Sequence, residues 1–167
     1  MNINKNKGMY IEELINRTID YYWYNKDNIY FEKRFVPFKI LKIMNNNVFL
    51  GKLLSKSTVD YTGVFKHRHL EFEVKQTEKD FFDFSLIKKH QWMFMNRMNK
   101  MGICCFLIVY FSLNDIILLV PFYAIKKFID EKIKKIPFLQ LQKESYKMEV
   151  IYPGIINLAE ILNKIIC

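Results

Sequence analysis

A chain of 167 residues that is 51% hydrophobic and rich in aromatics is long enough for a real core and too apolar for intrinsic disorder. Its formal net charge of +9 favours a polyanionic partner, although lysines far outnumber the arginines (Arg17, Arg34, Arg68 and Arg97), an excess that a coding bias toward A and T would also produce. The three cysteines, two of them adjacent at Cys104-Cys105 and the third at Cys167, exclude a disulfide framework and a zinc cluster.

The elements read as follows in chain order. Ile11, Leu14, Ile15, Ile19 and Tyr22 recur at helical spacing and predict a helix over residues 9–24. Residues 29–35 read as a strand. Residues 37–43 and 48–54 read as two more, joined by the turn signal Asn45-Asn46-Asn47. This hairpin carries Lys39, Lys42 and Lys52, few acids, and little apolar surface at its tip. Residue chemistry leaves it open between a bland surface hairpin and a projecting stalk. A second hairpin is predicted over 58–76, folded about Lys66-His67, a pair unlike the Asn-Gly that a type I′ turn prefers. Residues 85–100 read as a helix capped by Ser85, its buried face formed by Ile87, His90 or Gln91, Phe94, Met95 and Met98.

The run from Met101 to Ile125 is apolar enough to suggest a membrane span, but it contains Asn114, Asp115 and Pro121. Two buried strands, 103–111 and 116–120, turning at Asn114-Asp115 explain it better. Residues 121–134 read as a helix with Pro121 at its start, and 157–166 as a terminal helix. One domain spanning 1–167 is expected. The polar N-terminal stretch has no apolar core of a secretion signal, so a cytoplasmic protein is expected.

The chemistry gathers in the second hairpin. Successive side chains of a strand alternate faces, so Thr58 shares a face with Asp60, and Glu73 with Lys75. Val59, Tyr61, Leu70, Phe72 and Val74 take the other, apolar face. Folding about Lys66-His67 sets Asp60 opposite Glu73 and Thr58 opposite Lys75, with Cβ atoms about 4.5–5.5 Å apart. Two carboxylates that close repel unless a cation lies between them, and an oxygen-only donor set suits Mg²⁺, for which Mn²⁺ can substitute. Asp60 and Glu73 are the candidate metal ligands, against the commoner reading of such a pattern as a solvated sheet face. Thr58 and Gln91 are neutral oxygen donors that could complete the set, although Gln91 taken alone reads rather as a partly buried helix glutamine. Such a set is what a metal-dependent phosphodiesterase needs. Lys75, which without the acids beside it would read as an ordinary exposed strand lysine, is then the candidate for positioning the attacking water and stabilising charge on the phosphate. Glu71 shares the Glu73 face but sits nearer the turn and is read as peripheral. Glu12 and Glu13 are open between helping a second cation and plain solvation. None of His67, His69 and His90 is given a catalytic role. The cluster Tyr21-Tyr22-Trp23-Tyr24 is open between stacking on bases and core packing. Lys5, Lys7, Arg34, Lys39, Lys42 and Lys56 are candidate phosphate contacts.

Several blocks in order resemble the RecU family of Holliday-junction resolvases. They are Asn6-Lys7-Gly8-Met9 with Glu12 and Asn16, Lys33 to Phe38, Thr58 to Val64, Phe72-Glu73-Val74-Lys75, Phe84-Ser85-Leu86 and His90-Gln91. The resemblance is carried by residues 6–112 and is loose beyond Pro121. It implies an α/β fold with a mixed sheet, a nuclease core of the restriction-endonuclease type, and a protruding β-hairpin stalk inserted at about 36–56. It assigns Gln91 to the metal site. It further implies a Mg²⁺-dependent homodimer that resolves four-way DNA junctions by paired symmetric nicks leaving 5′-phosphates, with a branch-migration motor and a recombinase as further partners. The rival readings are an endonuclease acting on other DNA structures and a non-catalytic junction-binding recombination protein.

Overall fold

Apolar residues on alternate positions of the central strands give one sheet two hydrophobic faces, and helices cover both. The computed structural model describes residues 9–25, 28–44, 48–55 and 57–166. The chain begins with α1 (Met9–Asn25) and β1 (Ile29–Lys33), then passes into a hairpin of β2 (Phe38–Ile43) and β3 (Phe49–Leu53). It returns through β4 (Tyr61–Phe65) and β5 (Arg68–Thr77), a short β6 (Phe81–Asp83), a 3-10 turn at Phe84–Leu86 and α2 (Lys89–Lys100). The second half comprises β7 (Cys104–Phe111), β8 (Ile116–Pro121), α3 (Phe122–Asp130), β9 (Lys135–Pro137) and α4 (Phe138–Lys143). It closes with β10 (Tyr146–Met148), β11 (Val150–Ile151), β12 (Ile155–Ile156) and α5 (Leu158–Ile166).

The main sheet has six strands in the order β1-β4-β5-β7-β8-β10. Only β5 and β7 pair in parallel; its other neighbours are antiparallel, so the sheet is mixed as expected. On one face α1 and α5 bury Ile11, Leu14, Ile15, Leu158 and Leu162 against Phe31, Tyr61, Phe72 and Phe106. Thr18 stitches this layer, donating to Leu14 O and accepting from Ile156 N at 3.0 Å. On the other face α2, α3 and α4 pack Met95, Ile125, Phe128 and Leu141 over Leu107, Val109, Leu118 and Val120. β7 and β8 are the predicted buried pair. They turn at Asn114-Asp115 with Asp115 at φ 49°, and among the described residues no helix is long and apolar enough to cross a membrane.

The second hairpin pairs in the predicted register, with Tyr61 opposite Phe72, Gly63 opposite Leu70 and Phe65 opposite Arg68. Lys66 and His67 sit at φ 46° and 68°, the two left-handed positions of a type I′ turn, without a glycine. Gly63 is required by a close approach instead: a Cβ there would lie 2.3 Å from Tyr30 O on β1.

Four expectations fail locally. The β4 ladder begins at Tyr61, so Asp60 lies one residue beyond it and Thr58 makes no ladder pair with Lys75. Val59, freed from strand alternation, packs in the core opposite to that of Tyr61. Ser85 does not cap a long helix. Asp83 accepts from Ser85 N at 2.9 Å and caps the 3-10 turn, and α2 starts only at Lys89. The helix after Pro121 stops at Asp130, where Lys132 enters the left-handed region and the chain forms β9.

The β2–β3 hairpin stands apart from both cores. Every described residue of its two strands is exposed, and it pairs only with itself. The poverty in apolar surface expected of its tip does not extend to its strands. Ile40, Leu41, Ile43, Phe49, Leu50 and Leu53 are all solvent-facing, and the Phe38 and Phe49 rings stack with centroids 5.0 Å apart. The turn Asn45-Asn46-Asn47 lies outside the described residues.

Candidate active site

The site forms where β4 runs out and β5 continues. Beyond the Tyr61–Phe72 pair the ladder is replaced by bonds to side chains: Asp60 N donates to Glu73 Oε2 and Val74 N donates to Asp60 Oδ2, each at 3.1 Å. The two acids therefore face each other as the register predicts, although Asp60 is held from a bend. Lys75, two residues along the same face of β5, donates to Glu73 Oε1 at 2.5 Å. Gln91, on the first turn of α2, donates its amide Nε2 to the same oxygen at 2.5 Å. Glu73 is thus almost wholly buried and takes bonds from three directions.

Burial, and next the charge of Asp60, push the Glu73 carboxyl up to about 7; Lys75 opposes the shift. Two acids held this close in a buried setting resist being ionised together. Lys75 offsets part of that resistance.

Each candidate residue has a definite place. Asp60, Glu73, Lys75 and Gln91 converge. Gln91, not His90, is the buried residue of its turn; its Oε1 accepts from Lys88 N at 3.0 Å and its Nε2 faces Glu73. Thr58 is half-buried two residues before Asp60, and its hydroxyl makes no hydrogen bond among the described residues. Asp60 and Gln91 line a cavity of about 530 Å³ that reaches Val36, Leu53 and Leu54 at the base of the β2–β3 hairpin. Lys75 lines a second cavity, of about 510 Å³, which Glu12 also lines. Glu12 pairs with Lys33 at 2.6 Å, and Glu13 is exposed. Lys39, Lys42 and Lys52 are exposed and carry no ion pair among the described residues. Lys5, Lys7 and Lys56 lie outside the described residues. Tyr22 belongs to the core, whereas Trp23 and Tyr24 face solvent. Cys104 and Cys105 are free, and burial raises their thiols to about 11 and about 12, so neither is a nucleophile.

The residue misjudged from sequence is Glu71. It is not peripheral but 1% exposed, and Arg34 grips it with both arms of its guanidinium, Nε at 3.1 Å from Oε2 and Nη2 on Oε1. Thr62 Oγ1 donates to it at 3.2 Å, and the His69 ring lies 3.1 Å away. The signal was present in the period-2 alternation that puts Glu71 on the Glu73 face. What the strand pattern lacks is the covering side chain of Arg34, which lies 37 positions away in sequence.

Comparison with known proteins places these observations. The family model described as RecU, Recombination protein U, matches residues 6–164, including the segment after Pro121 that the motifs matched only loosely. A protein of Ureaplasma parvum serovar 3 named Holliday junction resolvase RecU is 33% identical over 161 residues, covering 96% of this chain and 94% of its own. Proteins of the same name from Mycoplasmopsis pulmonis and Streptococcus gordonii are 33% and 32% identical, covering 93% and 86% of this chain and 92% and 76% of theirs. The match spans α1 to α5 and includes Asp60, Glu73, Lys75 and Gln91, so this chain belongs to the RecU family.

Proposed function

We propose that this protein is a divalent-cation-dependent endonuclease that resolves four-way DNA junctions during recombination and repair. The observation that carries the reading is the buried Glu73 carboxylate, set against Asp60 and touched by Lys75 beside the root of an uncovered basic hairpin. The names of the relatives point the same way.

The donor set fits Mg²⁺, or Mn²⁺ in its place. Asp60 and Glu73 offer hard carboxylate oxygens, and a cation between them would offset both the burial and the Asp60 repulsion that raise Glu73. Among the described residues no third acid, histidine or cysteine joins them, so neutral oxygens complete the set. Thr58 is free to contribute its hydroxyl. Gln91 can turn its oxygen to the cation only by giving up the bond from Lys88 N. When bound, the cation supplies Lewis-acid activation of water and neutralises charge on the scissile phosphate.

The chain's own groups do the rest. Main-chain donors on Asp60 and Val74 hold the carboxylates in place before substrate arrives. Lys75 keeps an ammonium at the edge of the site, where it stabilises charge developing on phosphate oxygens. A mixed sheet bearing an acid, then Glu-x-Lys on the next strand, with helices on both faces, supports a nuclease core of the restriction-endonuclease type. The hairpin serves as the stalk. Lys39, Lys42 and Lys52 meet phosphates, and its apolar side chains meet a second copy of the chain. A two-fold homodimer presents one site to each of the two equivalent strands of a junction.

The test is a nicking assay on a synthetic four-way junction, with and without Mg²⁺. Paired symmetric nicks with 5′-phosphate ends, lost in Asp60→Asn, are expected. Tight junction binding with no cleavage in either Mg²⁺ or Mn²⁺ would leave a binding protein instead.

A further inference from the structure

Among the described residues the β2–β3 hairpin packs no face against its own chain, so within one protomer its direction is set where it joins the sheet. Arg34 occupies that joint. It follows β1 directly, its N–H donates to Asp60 O at 2.8 Å, and its side chain crosses to Glu71 on β5. The guanidinium also lies over the Phe94 ring of α2, 5.6 Å from the centroid. One residue thus touches the segment that carries Asp60, the strand that carries Glu73 and the helix that carries Gln91. On its far side the joint closes through Leu54 N donating to Pro37 O at 3.0 Å.

We propose that the Arg34–Glu71 pair is the lock that fixes the hairpin's angle against the metal-binding edge, and that this angle sets the preference for branched over linear DNA. Arg34 is then a positioning residue and not one of the phosphate contacts. The pair suits that task better than a stabilising one. With Glu71 buried and Arg34 partly exposed, the pair gains little net stability over apolar packing, but a planar two-pronged contact fixes direction as a lysine could not. Glu71 lies two residues from Glu73 on the same face of the same strand, so the hairpin is referenced to the site through one rigid element. Thr62 Oγ1 and the His69 ring crowd Oε1, the oxygen that also takes Arg34 Nη2, and hem the carboxylate in from that side.

This inference rests on the junction-nuclease reading for its consequence but not for its geometry, and two measurements separate them. Removing one partner alone leaves a buried charge uncompensated and threatens folding, so the informative variant is Arg34→Gln with Glu71→Gln, beside the conservative Arg34→Lys. Spin labels at Ile43→Cys and Lys100→Cys in a Cys167→Ser chain, diluted into unlabelled protein, report the hairpin's angle without any substrate. The double variant broadens the distance distribution, while its thermal unfolding remains cooperative. An unchanged distribution would overturn the lock. In the second arm, junction nicking is compared with linear-duplex nicking at one salt concentration. The double variant lowers the ratio by about tenfold, through the KM for the junction, with the Mg²⁺ midpoint unchanged. Arg34→Lys falls between the two. Equal losses on both substrates, or a shifted Mg²⁺ midpoint, would refute a role in selectivity. If the unaltered chain showed no preference for junctions, the functional reading would fail, and the label distances alone would decide the lock.

Discussion

Asp60 and Glu73 are held through each other's strand: Asp60 donates its N–H to Glu73, and Asp60 in turn accepts the N–H of Val74. The exchange extends the β4–β5 register one residue past the last ladder pair, with carboxylate oxygens standing in for carbonyls. Both acids are therefore oriented by main chain, and their positions outlast changes in the charge of either.

Asp60→Asn and Glu73→Gln are expected to abolish cleavage and spare junction binding. Each substitute keeps one acceptor oxygen for the main-chain N–H it now receives; in Glu73→Gln the new amide NH2 then faces the donors Lys75 and Gln91, so its Tm is measured alongside. The loss of a charged ligand lowers the rate by on the order of 10³ or more, as when an electrostatic contact to the transition state is removed. Gel shift without Mg²⁺ beside nicking with it makes the check. Retained nicking in both variants would dismiss the assignment.

Lys75→Ala is expected to lose about 10²–10³ in rate while the concentration of Mg²⁺ needed for half-activity stays put. A Mg²⁺ titration of both proteins distinguishes the roles. Recovery of full rate at high Mg²⁺ would make Lys75 an organiser of the cation site.

Stability and metal are linked through Glu73. Its carboxyl is raised from the ordinary 4.5 to about 7 in the fold, chiefly by burial, so the folded state binds a proton that the unfolded chain has released. That contribution is fully present below about pH 4.5 and is lost as pH rises through about 7. A divalent cation competes with the proton and restores what deprotonation costs. Thermal unfolding should show a larger rise in Tm on adding Mn²⁺ at about pH 8 than at about pH 5.5. Equal shifts at both would separate the cation from this carboxyl.

Gly63→Ala should destabilise the protein by about 1–3 kcal/mol or more, because a methyl group there overlaps Tyr30 O and the Phe31 Cβ and must push β1 away from β4. Urea unfolding with an unchanged m-value is the measurement. The same substitution at Gly102, where a Cβ meets nothing within 4 Å, carries only the cost of its φ of +83°.

Replacing residues 45–52 with a short glycine-containing turn should weaken binding to four-way junctions far more than to linear duplex, at one salt concentration. The two cores do not include the hairpin, so far-UV circular dichroism and Tm should hold. An equal loss on both substrates would leave a general endonuclease.

Period-2 alternation made the acid pair legible, because Glu73, Lys75 and Asp60 needed only a strand, a turn and a register. Lys66-His67 adopted the turn anyway, so the apolar ladder around it, and not its own propensity, set the register. Val59 shows the limit: alternation holds only while the strand does, and a bend sent it to the opposite core. Glu71 and Arg34 were unreadable as a pair because ion pairs across strands distant in sequence leave no local period. The short strands β6, β9, β10, β11 and β12 were missed since two or three residues cannot display alternation.

The bare ribbon of β2 and β3 has a thermodynamic corollary. Both its faces are hydrated around Ile40, Leu41, Ile43, Phe49, Leu50 and Leu53, and a lone two-stranded hairpin is marginally stable in water. Whatever covers it releases that hydration. Assembly through this ribbon therefore carries a negative heat-capacity change, whereas phosphate contacts by its lysines register as salt dependence. Calorimetry across temperature and across salt can thus resolve the two uses of one element, the oily and the ionic, without altering a residue.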